Sequence, residues 1–307
     1  MLLVRDELRH AVTSGDHAIT LGVFDGVHRG HQMLIERVRT EAAARGLGSG
    51  VVTFHPSPVT VLRPGTPFAY LTTLEQRVEL LKETGVDWVS VVQFTSELSQ
   101  VSAQDFARVL VEEARVRLIV VGEDFAVGRA REGTVSRLQE IGQDLGFEVI
   151  PVALLQHDPA DAISSTRVRR ALAEGDMPDV TRMLGRPYSI RGPVLHGDER
   201  GRSIGFPTLN IGVSADRALP PNGVYVTSAE VRGQAYRGTT NIGVQPTFEG
   251  TTRRVETHLL DFEGDAYGQV VRIDLLECLR EERKFDGVDA LVAQITRDVA
   301  ATRSYFA

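Results

Sequence analysis

The sequence predicts an α/β half with a parallel sheet, followed by an antiparallel β-barrel that ends in a helix. From Ala18 to about Leu155, apolar runs alternate with amphipathic segments, the pattern of a parallel sheet covered by helices on both faces. After Met183–Pro187, short alternating runs are separated by glycine and proline, which favours an antiparallel barrel or sandwich. Helical spacing returns from Val288 to Phe306. The predicted domains are residues 1–185 and 186–307, with the boundary good to about ±4 residues.

Strands in the first half are predicted where the apolar runs are short: Ala18–Phe24, Val51–Phe54, Trp88–Phe94, Leu118–Val121 and Phe147–Leu155. The segments between these runs repeat apolar residues at helical spacing. Parallel sheets bind ligands beyond the carboxyl ends of their strands. The loops after Phe24, Phe54 and Val121 are therefore the candidate binding region.

Strands in the second half are predicted from alternation of apolar and polar residues: Ser189–Leu195, Thr208–Val213, Val224–Val231, Val255–Phe262 and Val270–Leu279. Such spacing with turn residues between the runs is typical of an all-β domain. The final helix is predicted from Leu291, Ile295 and Val299, which recur every four residues.

Composition excludes several classes of protein. The 307 residues are 42% hydrophobic and 24% charged, and 34 Lys+Arg against 41 Asp+Glu give a net charge of −7. This balance argues against a binder of nucleic acid or of an anionic membrane surface. The single cysteine, Cys278, excludes an intramolecular disulfide and a zinc site of several thiolates. No apolar run reaches the length of a membrane-spanning helix, and charges follow Met1 closely, so a cytoplasmic protein is expected.

The first candidate motif is the string GVFDGVHRGH, residues 22–31. Glycines permit tight turns and close approach of backbone N–H groups to a ligand, and a helix N-terminus favours phosphate. His28 and His31 stand three residues apart, so both imidazoles can donate hydrogen bonds to phosphate oxygens at one entrance. The alternative is an ordinary Asp-Gly turn with surface histidines. A Walker loop is disfavoured, because the string lacks the Lys-Ser/Thr ending. The candidate nucleotide-binding residues here are Gly22, Phe24, Asp25, Gly26 and Gly30.

Three further strings in the first half carry candidate site residues. FHPSP at residues 54–58 follows the second strand, and GEDFAVG at residues 122–128 follows the fourth. Asp124 could accept a hydrogen bond from a ribose or an adenine amino group. In SSTRVRR, residues 164–170, a serine can cap a helix and Arg167 can pair with phosphate. Each string alone also fits a stiff loop, a capped turn or a capped surface helix.

In the second half, a glycine-spaced loop, GDERGRSIGFPTLN at residues 197–210, leads into a strand. Without further context it also fits a plain barrel loop. Glu256 lies in VETHLLD, where alternate residues fall on opposite faces of a strand. A glutamate on an open strand face is ordinarily solvated.

Taken together, these strings resemble one family along nearly the whole chain. HisXxxGlyHis with SerSerThrArg is similar to the Rossmann-like nucleotidyltransferase superfamily. More narrowly, the chain resembles the bacterial bifunctional riboflavin kinases/FAD synthetases. The strings that carry this resemblance are, in order, GVFDGVHRGH, FHPSP, GEDFAVG, SSTRVR, GDERGRSIGFPTLN, NIGVQPTF and VETHLLDF. The resemblance implies that the first domain transfers AMP from ATP to FMN. It implies that the second domain phosphorylates riboflavin to FMN.

The resemblance also implies roles for residues. His28 and His31 would hydrogen-bond the ATP phosphates, Ser164, Thr166 and Arg167 would hold the pyrophosphate side, and Asp124 would hold the adenosine. FHPSP would flank the flavin mononucleotide. In the second domain, Thr208 and Asn210 would hold Mg²⁺ and the ATP phosphates beside a loop containing Gly197, Gly201 and Gly205. Glu256 would be the general base, and the terminal helix with Arg280, Lys284 and Phe285 would border the flavin.

Some residues depart from the family pattern. Val127 stands where an aromatic residue is frequent, His55 where an acid is common, and Ser57 where histidine or arginine is common. These substitutions leave open an enzyme with the kinase activity alone. A non-catalytic flavin- or nucleotide-binding regulator, a transferase for another phosphorylated substrate, and weak homo-oligomers are further alternatives.

Overall fold

The structure, a computed structural model, describes residues 2–153, 163–197, 200–247 and 250–307. The chain forms two compact units, Met1–Ser165 and Thr166–Ala307. Within the described residues, no helix is both long and apolar enough to cross a membrane. The predicted domain boundary near residue 186 stays a prediction.

The first unit contains a parallel sheet that has five strands within the described residues. Its strands are β1 (His17–Gly22), β2 (Gly48–His55), β3 (Trp88–Gln93), β4 (Val116–Gly122) and β7 (Glu148–Val152). They lie in the order β3-β2-β1-β4-β7, and every neighbouring pair is parallel. The order reverses at β1 and β4, so a crevice is expected where the carboxyl ends of these two strands part.

Helices cover both faces of this sheet: α1 (Leu2–Ala11), α2 (Arg29–Arg45), α3 (Pro58–Leu62), α4 (Leu74–Glu83), α5 (Ala103–Ala114) and α6 (Val135–Leu145). Successive residues of β1 enter two different cores. Ile19 packs in a cluster with residues of α1, α5 and α6, such as Phe106. Ala18 packs in a cluster with residues of α2 and α4, such as Val38. A two-residue hairpin, β5 (Ala126–Val127) with β6 (Gly133–Thr134), follows β4.

The second unit is a closed antiparallel barrel with helices attached. After α7 (Ser165–Glu174) and α8 (Met177–Leu184), its strands are β8 (Tyr188–Leu195), β9 (Leu209–Ile211), β10 (Gly223–Val231), β11 (Gln234–Thr247), β12 (Gly250–Leu259) and β13 (Val270–Glu281). Among the described residues the barrel runs β10-β11-β12-β9-β8-β13 and closes on β10. The short helix α9 (Arg200–Ser203) precedes β9, and α10 (Val288–Tyr305) ends the chain.

The predicted fold class is confirmed: a parallel α/β sheet precedes an antiparallel barrel with a terminal helix. β11 has no counterpart among the predicted strands, because polar residues and two glycines interrupt its alternation. The predicted β9 is longer than the observed three residues. The end of the strand predicted to reach Leu155 lies outside the described residues, as do Asp198, Glu199 and Phe248 of the quoted strings.

Candidate active sites

The loop between β1 and α2 turns through left-handed backbone. Phe24, Gly26 and Val27 have φ values of 52°, 83° and 41°, and only glycine adopts such angles without strain. Phe24 and Val27 are nevertheless buried, so packing holds them there. Strained backbone that the surrounding structure fixes is typical of functional loops.

Asp25 ties this loop to the chain before α4. Its buried carboxylate accepts hydrogen bonds from the Leu71 N–H at 3.0 Å, from the Thr72 N–H at 3.1 Å and from the Thr72 hydroxyl at 3.0 Å. The Gly26 N–H in turn donates to Thr72 Oγ1 at 3.2 Å. A buried carboxylate with several donors is a strong anchor, so Asp25 holds the shape of the loop.

His28 and His31 stack at the N-terminus of α2. Their ring centroids are 3.6 Å apart, with 18° between the ring planes, and the centroids of the Phe24 and His31 rings lie 5.0 Å apart in a T-shaped arrangement. His28 is the N-cap residue, and its Nδ1 accepts the His31 N–H at 3.3 Å. A neutral His28 therefore carries its proton on Nε2. The structure thus brings both predicted histidines together at one helix N-terminus.

Burial lowers the pKa of His31 well below its ordinary value, and the charges of His28 and Arg77 lower it further. The ring is therefore neutral at physiological pH and acts as a dipolar hydrogen-bonding group. Within the part of the chain that the structure describes, the buried Nδ1 of His31 has no hydrogen-bond partner.

Arg77 on α4 is a residue near these histidines that the sequence analysis did not single out. Its side chain is fully buried, and its Nη1 donates to the Phe54 carbonyl at 3.0 Å. Position 77 shares a helical face with Leu74 and Leu81. An arginine on an otherwise apolar face was the signal available in the sequence.

Ser165, the first residue of α7 and the last of the first unit, contacts the β1–α2 loop. The Ser165 hydroxyl donates to the Asp25 carbonyl at 2.8 Å, and Ser164 precedes the helix as an exposed residue. Gly30 lies close by, because a Cβ there would stand 3.2 Å from His28 Nδ1 and 3.6 Å from the Ile163 carbonyl. Thr166 and Arg167 belong to the second unit, where Arg167 Nη2 lies 3.8 Å from Asp179 Oδ2.

The loops after β2 and β4 differ in how far their candidate residues are buried. Ser57 is buried, and its N–H donates to the Tyr70 hydroxyl at 2.8 Å. After β4, the Phe125 N–H donates to the Gly122 carbonyl at 3.0 Å and closes a turn that exposes Asp124. Arg131, at a φ of 61°, donates to the Asp124 carbonyl at 3.1 Å and braces that turn.

In the barrel, three polar residues form a row across neighbouring strands. Glu256 of β12 pairs with Asn210 of β9 on one side and with Asn241 of β11 on the other. Directly paired residues point to the same face of a sheet. Val255 and Thr257 are buried, so the row lies on the outer face. Asn241 was not among the predicted site residues, although it opens the quoted string NIGVQPTF.

Glu256 is partly accessible and lies near a cation. Its side chain is 33% exposed, and Arg254 Nη1 stands 3.7 Å from Glu256 Oε1. A carboxylate in this setting can accept a proton from a bound alcohol while it remains reachable by solvent.

The glycine-spaced loop packs against Thr208 and Asn210. A Cβ at Gly197 would lie 2.2 Å from Asn210 Nδ2, so only glycine leaves the amide in place. A Cβ at Gly201 would lie 2.3 Å from the Phe206 carbonyl and 3.5 Å from Thr208 Oγ1. Gly205 has a φ of 89°, and the Phe206 N–H donates back to the Gly201 carbonyl at 2.8 Å.

Thr208 and Asn210 fit a magnesium site that is shared with phosphates. Their hydroxyl and amide oxygens are hard ligands, and Mg²⁺ is held by few protein groups together with waters and substrate phosphates. A cage of three or more His, Cys, Asp or Glu side chains does not occur among the described residues.

The fold and the arrangement of these residues are typical of a two-unit transferase: a nucleotidyltransferase-type parallel sheet with stacked histidines at a helix N-terminus, and a barrel that carries Thr208, Asn210 and Glu256. A family model described as FAD synthetase matches residues 11–167, and a riboflavin kinase model matches residues 184–306. The chain belongs to the family of bifunctional riboflavin kinase/FMN adenylyltransferases.

Relatives bearing that name match nearly end to end. The protein of Listeria monocytogenes is 38% identical over 98% of this chain and 97% of its own length. That of Pseudomonas fluorescens is 41% identical over 93% and 91%. A crystal structure of a macrolide-efflux protein from Streptococcus pneumoniae, by its given name, has a TM-score of 0.87 at 34% identity and covers 96% of both chains.

Proposed function

We propose that this chain converts riboflavin to FMN on the outer face of the barrel and FMN to FAD at the carboxyl edge of the parallel sheet. The observation that supports the proposal is that each compact unit brings together polar residues whose chemistry suits phosphate. His28 and His31 stack in the first unit, and Asn210 pairs with Glu256 in the second. The substrates are ATP with riboflavin, and ATP with FMN.

In the first reaction site, a phosphate oxygen of FMN attacks the α-phosphorus of ATP. The new O–P bond forms as the bond between the α-phosphorus and the bridging oxygen breaks, and pyrophosphate leaves. Because the nucleophile is already an anion, no general base is needed, and catalysis rests on positioning and on charge stabilisation. We assign this stabilisation to His28 and His31, which donate to the phosphates.

The remaining groups of this site follow from the resemblance and from their chemistry. The loop backbone at Gly22, Phe24, Gly26 and Gly30 would offer N–H groups to the triphosphate, while Asp25 keeps the loop in shape. Ser164, which precedes α7, would hold the pyrophosphate, since a helix N-terminus favours anions. Asp124 would accept from the adenosine.

In the second reaction site, Glu256 would take the proton from the terminal ribityl hydroxyl of riboflavin as its oxygen attacks the γ-phosphorus of ATP. ADP leaves as the bridging oxygen–γ-phosphorus bond breaks. A neutral alcohol, unlike a phosphate, gains from a base. Gly197, Gly201 and Gly205 would let the loop backbone approach the triphosphate, and Thr208 and Asn210 would hold Mg²⁺. When bound, Mg²⁺ neutralises phosphate charge.

We propose that residues 1–185 carry out adenylyl transfer and that residues 186–307 carry out the phosphorylation of riboflavin. The family models support this boundary, because one ends at residue 167 and the other begins at residue 184. Helix α8 and all of α7 after Ser165 belong to the second compact unit.

A product assay tests the proposal. Purified protein with riboflavin, ATP and Mg²⁺ should form FMN first and then FAD, resolved by chromatography over time. A control reaction that starts from FMN should form FAD and pyrophosphate. Accumulation that stops at FMN would leave the kinase and remove adenylyl transfer, whereas no product from riboflavin would remove the kinase.

A further inference from the structure

Helix α10 buries polar rather than apolar side chains. Its three most buried residues are Gln294, Asp298 and Thr302, with exposed fractions of 8%, 5% and 0%. They stand four residues apart and so share one face of the helix. Helices of soluble proteins ordinarily pack an apolar stripe against the core. This polar stripe therefore calls for an explanation in terms of the groups that it contacts.

Asp298 holds Arg280, which lies near the end of β13. Its carboxylate accepts from Arg280 Nε at 3.0 and 3.1 Å and from Nη2 at 2.8 Å. Gln294 Nε2 donates to the same carboxylate at 2.7 Å. Bidentate pairing fixes the plane of a guanidinium as well as its position.

Gln294 connects α10 to the segment that follows β13. Its Oε1 accepts a hydrogen bond from Arg283, and the guanidinium carbons of Arg280 and Arg283 lie 5.8 and 4.9 Å from the centroid of the Phe285 ring. Two cations and one aromatic ring are thus organised by α10. We call residues Arg280–Phe285 the strap.

The strap lies in line with the candidate kinase residues. Strand pairing runs from Arg280 to Val224, from Val224 to Asn241 and from Asn241 to Glu256. Three strand spacings separate Arg280 from Glu256, or ~14 Å along the sheet. Thr302 bonds to Thr239 of β11 at 2.8 Å, so α10 covers the strand beside Glu256. A tricyclic ring with a pentitol chain can bridge this span.

We propose that Gln294 and Asp298 are positioning residues for the kinase reaction, which hold the strap in the conformation that binds the flavin ring of riboflavin. This inference rests on the proposed kinase function. Stability alone does not account for the stripe, because a buried ion pair stabilises no more than well-packed apolar side chains do. A buried ion pair does fix the orientation of its guanidinium group. A flat ligand requires guanidinium groups and an aromatic ring that are held in a fixed orientation.

The test uses the full chain with Asp298→Asn, Gln294→Met and a matched control, Asp261→Asn. Asp261 also pairs bidentately with α10, through Arg303 at 2.7 and 3.0 Å, but this pair is exposed and joins α10 to the chain that follows β12. The measurements are KM and kcat for riboflavin, KM for ATP, adenylyl transfer from FMN, and Tm.

Loss of the positioning groups should raise the riboflavin KM about tenfold while kcat, the ATP KM and adenylyl transfer change less than about twofold. Asp261→Asn should leave every value near that of the parent. A lower Tm with an unchanged riboflavin KM would overturn the inference and show that Gln294 and Asp298 only stabilise the fold. Should Asp298→Asn fail to fold, Gln294→Met, which keeps the side-chain volume, decides. Absence of FMN when the parent protein is given riboflavin, ATP and Mg²⁺ would instead remove the proposed function itself.

Discussion

At the residue scale, the two proposed sites would use different chemistries for one cosubstrate. The first would rely on neutral donors, because burial lowers the pKa of His31 well below its ordinary value. The second has a partly exposed carboxylate, Glu256, beside Arg254. The difference matches the nucleophiles: an anionic phosphate needs no base, whereas an alcohol does. Single substitutions should therefore separate the two activities.

Replacing His28 by alanine should lower FAD formation from FMN by ~10²-fold or more, because the proposed phosphate donor at the helix N-terminus is lost. FMN formation from riboflavin should stay within about twofold, since the proposed kinase residues lie in the other unit. Both rates can be measured on the same preparation. Equal loss of the two activities would show that the site has been assigned wrongly.

Glu256→Gln should have the opposite effect, because the amide cannot take the ribityl proton. Kinase turnover should fall by ~10²–10⁴-fold, while the conversion of FMN to FAD persists. A control, Glu277→Gln, changes an exposed carboxylate on β13. Retention of kinase turnover in Glu256→Gln would contradict the role of general base.

The low pKa of His31 also predicts how stability depends on pH. The unfolded chain takes up a proton near pH 6.5, whereas the folded chain resists it, so the unfolded state binds more protons below that pH. The free energy of unfolding should then fall on acidification, by at most about 1.4 kcal/mol per pH unit from this one group. His31→Gln should lose that part of the slope. Denaturant titrations between about pH 7 and 5 measure it, with His10→Gln as the surface control.

At the element scale, glycine positions decide whether the barrel loop can approach its neighbours. A Cβ at Gly197 would overlap Asn210 Nδ2 at 2.2 Å, while Gly287 has nothing within 4 Å. The Asn210 amide is the end of a flexible side chain and can swing away. The substitution should thus disturb the site without unfolding the barrel.

We expect Gly197→Ala to raise the ATP KM of the kinase reaction about tenfold, because a displaced Asn210 no longer meets Mg²⁺ and phosphate. The Mg²⁺ dependence should shift to higher concentration, and Tm should change little. Gly287→Ala is the matched control, since its new methyl group meets open space. An unchanged ATP KM in Gly197→Ala would exclude Asn210 from the phosphate site.

Elements with a strong apolar periodicity could be predicted from the sequence. Elements in which polar residues or glycines interrupt that periodicity could not. The apolar runs of β1 through β4 and the barrel alternation predicted both architectures. β11 was missed because Gly238, Asn241 and Gly243 break its alternation, and with it the neighbour of Glu256 went unnoticed. Arg77 was missed because its burial depends on tertiary packing against the loop after β2. The polar stripe of α10 has the same cause: its partners come from β11 and β13.

At the scale of the whole molecule, the product of one reaction is the substrate of the other. Each compact unit has buried apolar residues of its own, and His28 and Glu256 lie in different units. If the sites are chemically independent, FMN released by one chain can be used by another chain. Joining the two activities in one polypeptide would then raise the local concentration of FMN near the second site, although the chemistry itself would not require this.

Mixing the two inactive variants tests this independence. His28→Ala alone should stop at FMN, and Glu256→Gln alone should leave riboflavin unchanged. Together they should convert riboflavin to FAD with a lag, because FMN must first accumulate in solution to reach the second variant. Raising the concentration of His28→Ala should shorten the lag, which chromatography of timed samples would show. If the mixture makes FMN but no FAD, while Glu256→Gln still converts added FMN, then FMN does not leave the kinase site freely and the two sites act as one.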